Sequence, residues 1–375
     1  MSEKKKICCI LETSGSPHED GLQSLVETLK TLDYRVILFL SKVNADRSEK
    51  LDINKCADEI LIYENWQVLF GIVKLFKKYD LMILHTVSVR NTLPLFLITL
   101  ICNIPYVIFI RNINSWYKYT WHKSTLMNII ARNISTLLKK IMLARCASII
   151  VENERLKETL LKNGQLKIDV VPFKKIKGIR KNYGDDRINI INLIVPGVID
   201  FKKKDLETIL TAFAQLKKEE IRKLKLIFLG KVKNSEDSMM CSRYKEILGD
   251  AFDYYTKFIE PRLFEKIMDE ANVVIGSYFP HHVCEHFNEI YGQTKGSAVD
   301  AQAISRAIPL FVNSCFEPDQ QYKKSTVIFE GVQQLNKLFE RLVYDPEFLN
   351  ELCISANVES SYFSTSSVAS KIKHF

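Results

Sequence analysis

Residues 271–312 read ANVVIGSYFPHHVCEHFNEIYGQTKGSAVDAQAISRAIPLFV. Val273, Val274 and Ile275 form a short apolar strand that runs into a polar loop. The loop carries Glu289, three residues ahead of Gly292. Small residues over 297–306 favour a helix, and Ile308-Pro309-Leu310-Phe311-Val312 begins another strand. Strand, loop, helix and strand in this order form an α/β crossover, whose ligands bind beyond the strand's C-terminal end. A carboxylate and a glycine just ahead of a helix N-terminus suit a ligand with hydroxyls and phosphates. The glycine lets backbone approach, the helix end favours anions, and the carboxylate accepts from sugar or ribose hydroxyls.

The same alternation extends back to the N-terminus. Apolar runs at 6–11 (KICCIL), 35–41 (RVILFLS), 80–85 (DLMILH), 106–111 (YVIFIR) and 146–151 (CASIIV) are separated by helical stretches. Such runs read as parallel strands buried on both faces. Several end in polar residues, as at His85, Thr86 and Arg111, which marks the ligand edge of a sheet. Residues 173–187 have the charge and glycine of a linker. A second series follows: INIINLIV at 188–195, a loop with Gly197, an amphipathic helix at 206–216 and LKLIFLG at 224–230. A length of 375 residues suits two domains.

Three segments share a likeness. Glu289, two residues, Gly292, a small-residue helix and a strand opened by Pro309 resemble the donor-binding end of GT-B glycosyltransferases. The resemblance is strongest to the large retaining family that uses nucleotide sugars, the family 4-like enzymes. Residues 146–173, CASIIVENERLKETLLKNG and then VVPF, are similar to the end of a GT-B N-terminal domain. Gly197, with Lys203 six residues on and Lys204 adjacent, resembles the segment in which that family sets a lysine on the donor diphosphate. The chain departs from the pattern at Val198, where the family has Arg, and at Ser297, where it has a second Glu. The nearest acid is Asp300, while Gln302 stands seven residues before Pro309, so the ribose contact is open between these two.

The resemblance implies an α/β chain of GT-B fold, two Rossmann-like domains with parallel sheets facing a central cleft. It divides the chain into an acceptor domain over 1–175, a nucleotide-sugar domain over 186–345, and C-terminal helices over 346–375 whose tail packs back on the N-terminal domain. It implies a hexosyltransferase acting with retention and needing neither metal nor cofactor. The donor-binding candidates are Gly15, Gly197, Lys203, Lys204, Glu289, Gly292, Asp300 and Gln302. Glu289 would orient the sugar, and Lys203 or Lys204 would stabilise the departing charge. With retention the donor phosphate takes the acceptor proton; with inversion the base is His122, His18 or Glu19. The catalytic candidates are thus Glu289, Lys203 and His122.

Charge adds a partner. The net charge is +9, yet between Asp80 and Glu152 there is no acid and there are eight basic residues. An anionic partner is implied: a phospholipid surface, a lipid diphosphate or nucleic acid. No nucleic-acid motif accompanies the charge. Residues 114–144, with Trp116, Tyr117, Tyr119 and Trp121 ahead of an apolar and basic helix, read as an interfacial helix that sets Lys139 and Lys140 on anionic lipid. The apolar run 93–110 is broken by Asn103-Ile104-Pro105 and reads as helix then buried strand. His281, His282, Cys284 and His286 lie in one segment, whereas metal sites draw ligands from separated segments, so no metal is expected. Nine scattered cysteines and an N-terminus without a signal-like apolar stretch favour a reducing cytoplasm, with the chain peripheral on the inner face of the membrane. The expected acceptor is a lipid-linked or cell-surface polysaccharide precursor. Two other readings stand beside this one: a nucleotide-sugar 2-epimerase of similar architecture, and a non-catalytic protein that binds nucleic acid or membranes.

Overall fold

The computed structural model describes residues 5–13, 19–48, 56–72, 77–119, 125–164, 166–172, 174, 176–177, 190–280, 282–284 and 287–375. The first series of elements is β1 (Ile7–Glu12), α1 (Glu19–Thr31), β2 (Arg35–Ser41), α2 (Lys42–Ser48), β3 (Glu59–Tyr63), α3 (Trp66–Ile72), β4 (Leu81–Leu84), α4 (Thr92–Cys102), β5 (Tyr106–Ile110), α5 (Asn114–Tyr117), α6 (Leu126–Arg145), β6 (Ser148–Val151), α7 (Glu154–Leu161) and β7 (Ile168–Val170). The strands form one parallel sheet in the order β3-β2-β1-β4-β5-β6-β7. β4, β5 and β6 are buried along their whole length, which is why they read as unbroken apolar runs. Asn103, in the left-handed region at φ +47°, ends α4 and lets the chain turn through Pro105 into β5.

The second series is β8 (Ile191–Pro196), α8 (Leu206–Ala214), α9 (Lys218–Ile221), β9 (Leu224–Lys231), α10 (Ser235–Leu248), β10 (Phe252–Tyr255), α11 (Pro261–Asp269), β11 (Val273–Gly276), β12 (His282–Cys284), β13 (Phe287–Glu289), α12 (Ala298–Ser305), β14 (Leu310–Asn313), β15 (Thr326–Phe329), α13 (Gly331–Tyr344), α14 (Pro346–Ser361) and α15 (Thr365–Lys371). Six strands form a second parallel sheet, β10-β9-β8-β11-β14-β15. β12 and β13 pair with each other as an antiparallel hairpin inside the loop that sequence pattern left irregular. Three-residue strands are too short to show a period.

Strand order reverses between β1 and β4 in the first sheet and between β8 and β11 in the second. A crevice opens beyond the carboxyl ends of such a pair, so the topology alone marks two half-sites. The chain's end returns to the first unit. α15 packs on α1, Val368 joins the core that holds Leu22 and Leu25, and the Lys373 N–H donates to Asp169 Oδ1 at 3.0 Å.

The expected interfacial helix corresponds to α5 and α6, and one part of that expectation is wrong. Lys139 is buried, 1% exposed, with its ammonium 5.3 Å from the Trp116 ring centre and 3.5 Å from the Ser115 carbonyl. It ties α6 to α5 rather than meeting lipid. Trp116 is buried with it. Among the described residues, no helix is long and apolar enough to cross a membrane.

Candidate functional site

Gly197 follows the last residue of β8 at φ +89°. A side chain at Gly230 would lie 2.1 Å from the Gly197 carbonyl oxygen, so the ends of β8 and β9 approach through two glycines. The next turn bonds the Lys203 and Lys204 N–H groups to the Asp200 carbonyl. It sends the first side chain to solvent and the second inward. Lys204 Nζ donates to the Pro196 carbonyl at 3.1 Å and stands 3.3 Å from where a Gly197 Cβ would be. Burial pushes its ammonium down to about 8, with Asp200 opposing. Of the two candidates, the structure sets Lys204 rather than Lys203 under the Gly197 loop. Asp205 then caps α8 through Thr208 N–H and bonds through its own N–H to the Ser277 carbonyl, which joins this turn to the end of β11.

Glu289 ends β13 and is 1% exposed. Burial lifts its carboxyl to about 7, against the opposing pull of Thr294, Lys295, the Asn114 N–H and Lys118. Its Oε2 has no hydrogen-bond partner among the described residues. A partnerless buried oxygen costs free energy unless a ligand supplies a donor. Gly292 plays a different part from the one expected. At φ +83° it closes a turn onto the Lys295 carbonyl, and a Cβ there would sit 2.3 Å from the Glu317 carbonyl oxygen. The close approach it permits is to this chain's own backbone.

Ser297 caps α12, accepting from the Val299 N–H at 3.1 Å, with the Tyr278 hydroxyl 2.7 Å away. Asp300 and Gln302 stand two residues apart on this helix, about 200° around it. Asp300 faces the first unit and lines a small cavity with Glu152, Asn153, Ser297 and Phe363. Burial, reinforced by the Glu152 charge, holds its carboxyl well above the usual range. Gln302 points the other way. Its carbonyl accepts from Arg306, whose guanidinium also pairs with Glu265 and, at 2.9 Å, Asp269. Asp300 therefore reaches the space between the sheets, while Gln302 braces α12 on α11.

The first sheet contributes residues that sequence reasoning did not name as site members. Glu12 ends β1, His85 and Thr86 follow β4, Arg111 follows β5 and Glu152 follows β6. His85 is fully buried. Its Nδ1 meets Glu12 Oε2, which also accepts from Thr86 Oγ1 at 2.9 Å, and its Nε2 accepts from Arg111 Nη2 at 3.0 Å. Burial and the Arg111 charge hold the imidazole below its ordinary value, so it is neutral. Glu152 is pushed up to about 7 by burial, with Arg111 and Lys295 opposing. The only sequence signal for this group was a polar residue closing each apolar strand.

The two edges meet directly. The Ile113 N–H donates to the Thr294 carbonyl at 2.8 Å, Asn114 Nδ2 donates to the Asn288 carbonyl at 2.6 Å, and Arg155 pairs with Glu317. Glu152 packs on Gly296, where a Cβ would fall 1.5 Å from Glu152 Oε1. The carboxyl ends of both sheets thus face each other: Asp300 and Glu152 line one small cavity between them, Lys204 and Glu289 stand at the edge of the second sheet and its loops, and the Glu12–His85–Arg111 group stands at the edge of the first. His122, His18 and Gly15 lie outside the described residues, as do His281 and His286. Glu19 opens α1.

HepE of Anabaena, solved with UDP and glucose, superimposes with a TM-score of 0.65 at 12% identity, covering 98% of this chain and 98% of that one. Sucrose-phosphate synthase of Thermosynechococcus elongatus gives 0.62 at 14% identity, over 97% of this chain and 96% of that one. A putative UDP-N-acetylglucosamine 2-epimerase of Listeria monocytogenes gives 0.55 at 14% identity, over 98% and 94%. No family model matches the chain, and no curated protein is similar to it in sequence. Likeness over the full length of both chains establishes the fold as GT-B, two Rossmann-like units with parallel sheets facing a cleft.

Proposed function

We propose that the chain transfers a glycosyl group, with retention, from a nucleotide sugar to a lipid-linked or cell-surface polysaccharide precursor on the cytoplasmic face of a membrane. The observation that carries the donor half is that two groups on the second unit, near its switch point and in the loop that follows β11, are under-satisfied. Lys204 is a desolvated ammonium that donates to one carbonyl, and Glu289 is a buried carboxyl with one oxygen that has no partner among the described residues. A pyrophosphate and a sugar hydroxyl are the complements of those two groups. The HepE structures, which contain UDP and UDP-glucose, support the same ligand class.

In this reading the bond between the anomeric carbon and the diphosphate oxygen breaks, its electron pair leaves with the nucleotide diphosphate, and the acceptor hydroxyl oxygen bonds to that carbon on the same face. Lys204 and the N-terminus of α8 stabilise that charge. Glu289 orients the sugar, and Asp300 accepts from the ribose hydroxyls. With retention, the donor's own phosphate oxygen takes the acceptor proton. The acid-free stretch between Asp80 and Glu152 supports a membrane-borne anionic acceptor.

A thermal-shift screen with UDP-, GDP-, ADP- and CMP-sugars tests the reading. Saturation at 100 times the dissociation constant adds about 2.7 kcal/mol, a measurable rise in melting temperature. No shift with any of them sinks it. Proton NMR of the product reads the anomeric configuration, and conversion of the donor sugar without acceptor would instead mark a 2-epimerase.

A further inference from the structure

α4 and α6 pack side by side over the first sheet, with Thr92 Oγ1 and Ser135 Oγ bonded at 2.7 Å between them. Their inner faces join the core through Leu95, Ile98 and Met142. Their outer faces are apolar as well. Leu93, Leu97, Leu100 and Ile101 stand exposed on α4 at a spacing that follows one helix face. Ile130, Ile134, Leu137 and Ile141 do the same on α6, and Leu126 and Met127 at its start are 72% and 82% exposed. Contiguous apolar surface of this kind marks an interaction site.

We infer that the α4–α6 face is a docking surface for an anionic lipid bilayer, lying in the headgroup region with the cleft mouth at the membrane. Charge decides among the possible occupants. The surrounding segment carries no acid between Asp80 and Glu152. Exposed Arg90 and Arg145 flank the apolar stripes, and Lys140 lies 4.2 Å over the half-exposed Tyr119 ring. A second copy of the chain would set like charge against like charge across the apolar contact. An anionic bilayer accepts both features, apolar residues below the headgroups and cations among them. α6, with 20 residues, is about 30 Å long, enough for several headgroups, and it lies on the surface rather than spanning it.

The helices also point the cleft at the membrane. Asn91, just ahead of α4, bonds Thr13 beside Glu12. α5, just ahead of α6, holds the Asn288 carbonyl next to Glu289 through Asn114. α4 therefore starts at the rim of the site, and the contacts of Ser135 with Thr92 and of Lys139 with Ser115 set the middle of α6 at that level, so the most exposed apolar residues, Leu126 and Met127, lie on the turns of α6 that extend past it. A lipid-linked acceptor would reach the cleft without leaving the bilayer. That last step rests on the transferase reading; the surface itself rests on exposure and charge.

Cosedimentation of the full chain with phosphatidylcholine vesicles, with and without phosphatidylglycerol and at low and high salt, tests this. Binding is expected to anionic vesicles at low salt, and to weaken with salt. The triple variant Leu126→Ser, Met127→Ser, Ile130→Ser and the double variant Lys140→Glu, Arg145→Glu should each lose about tenfold or more in vesicle affinity. Their melting temperatures and nucleotide-sugar binding should stay at wild type. Full vesicle binding by the triple variant overturns the inference. So does light scattering that shows a wild-type dimer, made monomeric by the triple variant, with no vesicle binding by either. If vesicles bind and no activated sugar does, the transferase reading fails alone; the reverse pattern removes only the membrane surface.

Discussion

The two walls of the cleft are both buried and both charged, yet they are satisfied to different degrees. On the first wall Glu12, His85, Thr86 and Arg111 bond to one another. On the second, Lys204 donates to one carbonyl, Glu289 keeps an oxygen without a partner among the described residues, and Asp300 faces the Glu152 carboxyl across the gap. Burying a charge is costly unless partners compensate it. The Glu12–His85–Thr86 group of the first wall carries its compensation within the fold, so it is a rigid positioning surface, while Glu152 beside it shares an uncompensated gap with Asp300. The second wall keeps under-satisfied groups, so the proposed donor would gain its binding free energy there.

Substitutions should separate the walls. His85→Ala removes the shared partner of Glu12 and Arg111 and opens a hole beside Phe109, whose ring centre lies 5.1 Å from the imidazole. A loss of about 3 kcal/mol is expected from urea unfolding, the largest effect of the set. Donor affinity, measured on the folded fraction, should change little. If stability fell by less than about 1 kcal/mol while turnover collapsed, the first wall would be chemical rather than structural and the contrast would be reversed.

Lys204→Ala should do the opposite. Loss of a charged contact to a diphosphate is worth about 2 kcal/mol, roughly thirtyfold in donor affinity and in kcat/KM. The unliganded ammonium titrates at about 8. An anionic donor raises that value, so wild-type affinity should decline as pH rises through 8, and the Ala variant should lack that decline. Calorimetry across this range checks both statements, and an unchanged pH profile in the variant would remove Lys204 from the site.

Glu289→Gln tests the bare carboxyl through stability. The folded carboxyl titrates at about 7 against an ordinary 4.5. A raised acid costs nothing below its unfolded value, and the cost grows as pH climbs to the folded one. The Gln variant cannot ionise, so it should gain on wild type by roughly 1–2 kcal/mol between pH 5 and pH 8. Melting curves at the two pH values measure the difference; equal slopes for both proteins would mean that Glu289 is already compensated.

The contrast between the walls also explains what could be read from the residue order. Parallel strands buried on both faces are unbroken apolar runs, so both sheets were visible, and Gly197 and Pro309 marked where two of them end and begin. Glu289 stood out by its place ahead of Gly292, whereas Asp300 and Gln302 could not be told apart until α12 set them on different faces. The first wall showed only as a ligand edge, with His85, Thr86 and Arg111 closing separate strands, and the bonding among its members was hidden. Glu12 and His85 are bonded in space but 73 residues apart in the chain. The work of Gly292 and Gly296 was hidden for the same reason, since the groups they make room for, Glu317 and Glu152, belong to other segments.

Lys203 and Lys204 are the sharpest case, because spacing from Gly197 favours the first and the fold turns the second inward. Both N–H groups bond the Asp200 carbonyl, so the backbone is common to the pair and only side-chain direction separates them. Lys203 is exposed, and an exposed cation beyond hydrogen-bond reach acts on a diphosphate only through solvent and salt. Lys203→Ala should therefore change donor affinity by less than about twofold, and that small change should vanish at high salt. A loss matching that of Lys204→Ala would mean that the 200–204 turn rearranges when the donor binds. The second wall would then be completed by movement of the chain as well as by the ligand.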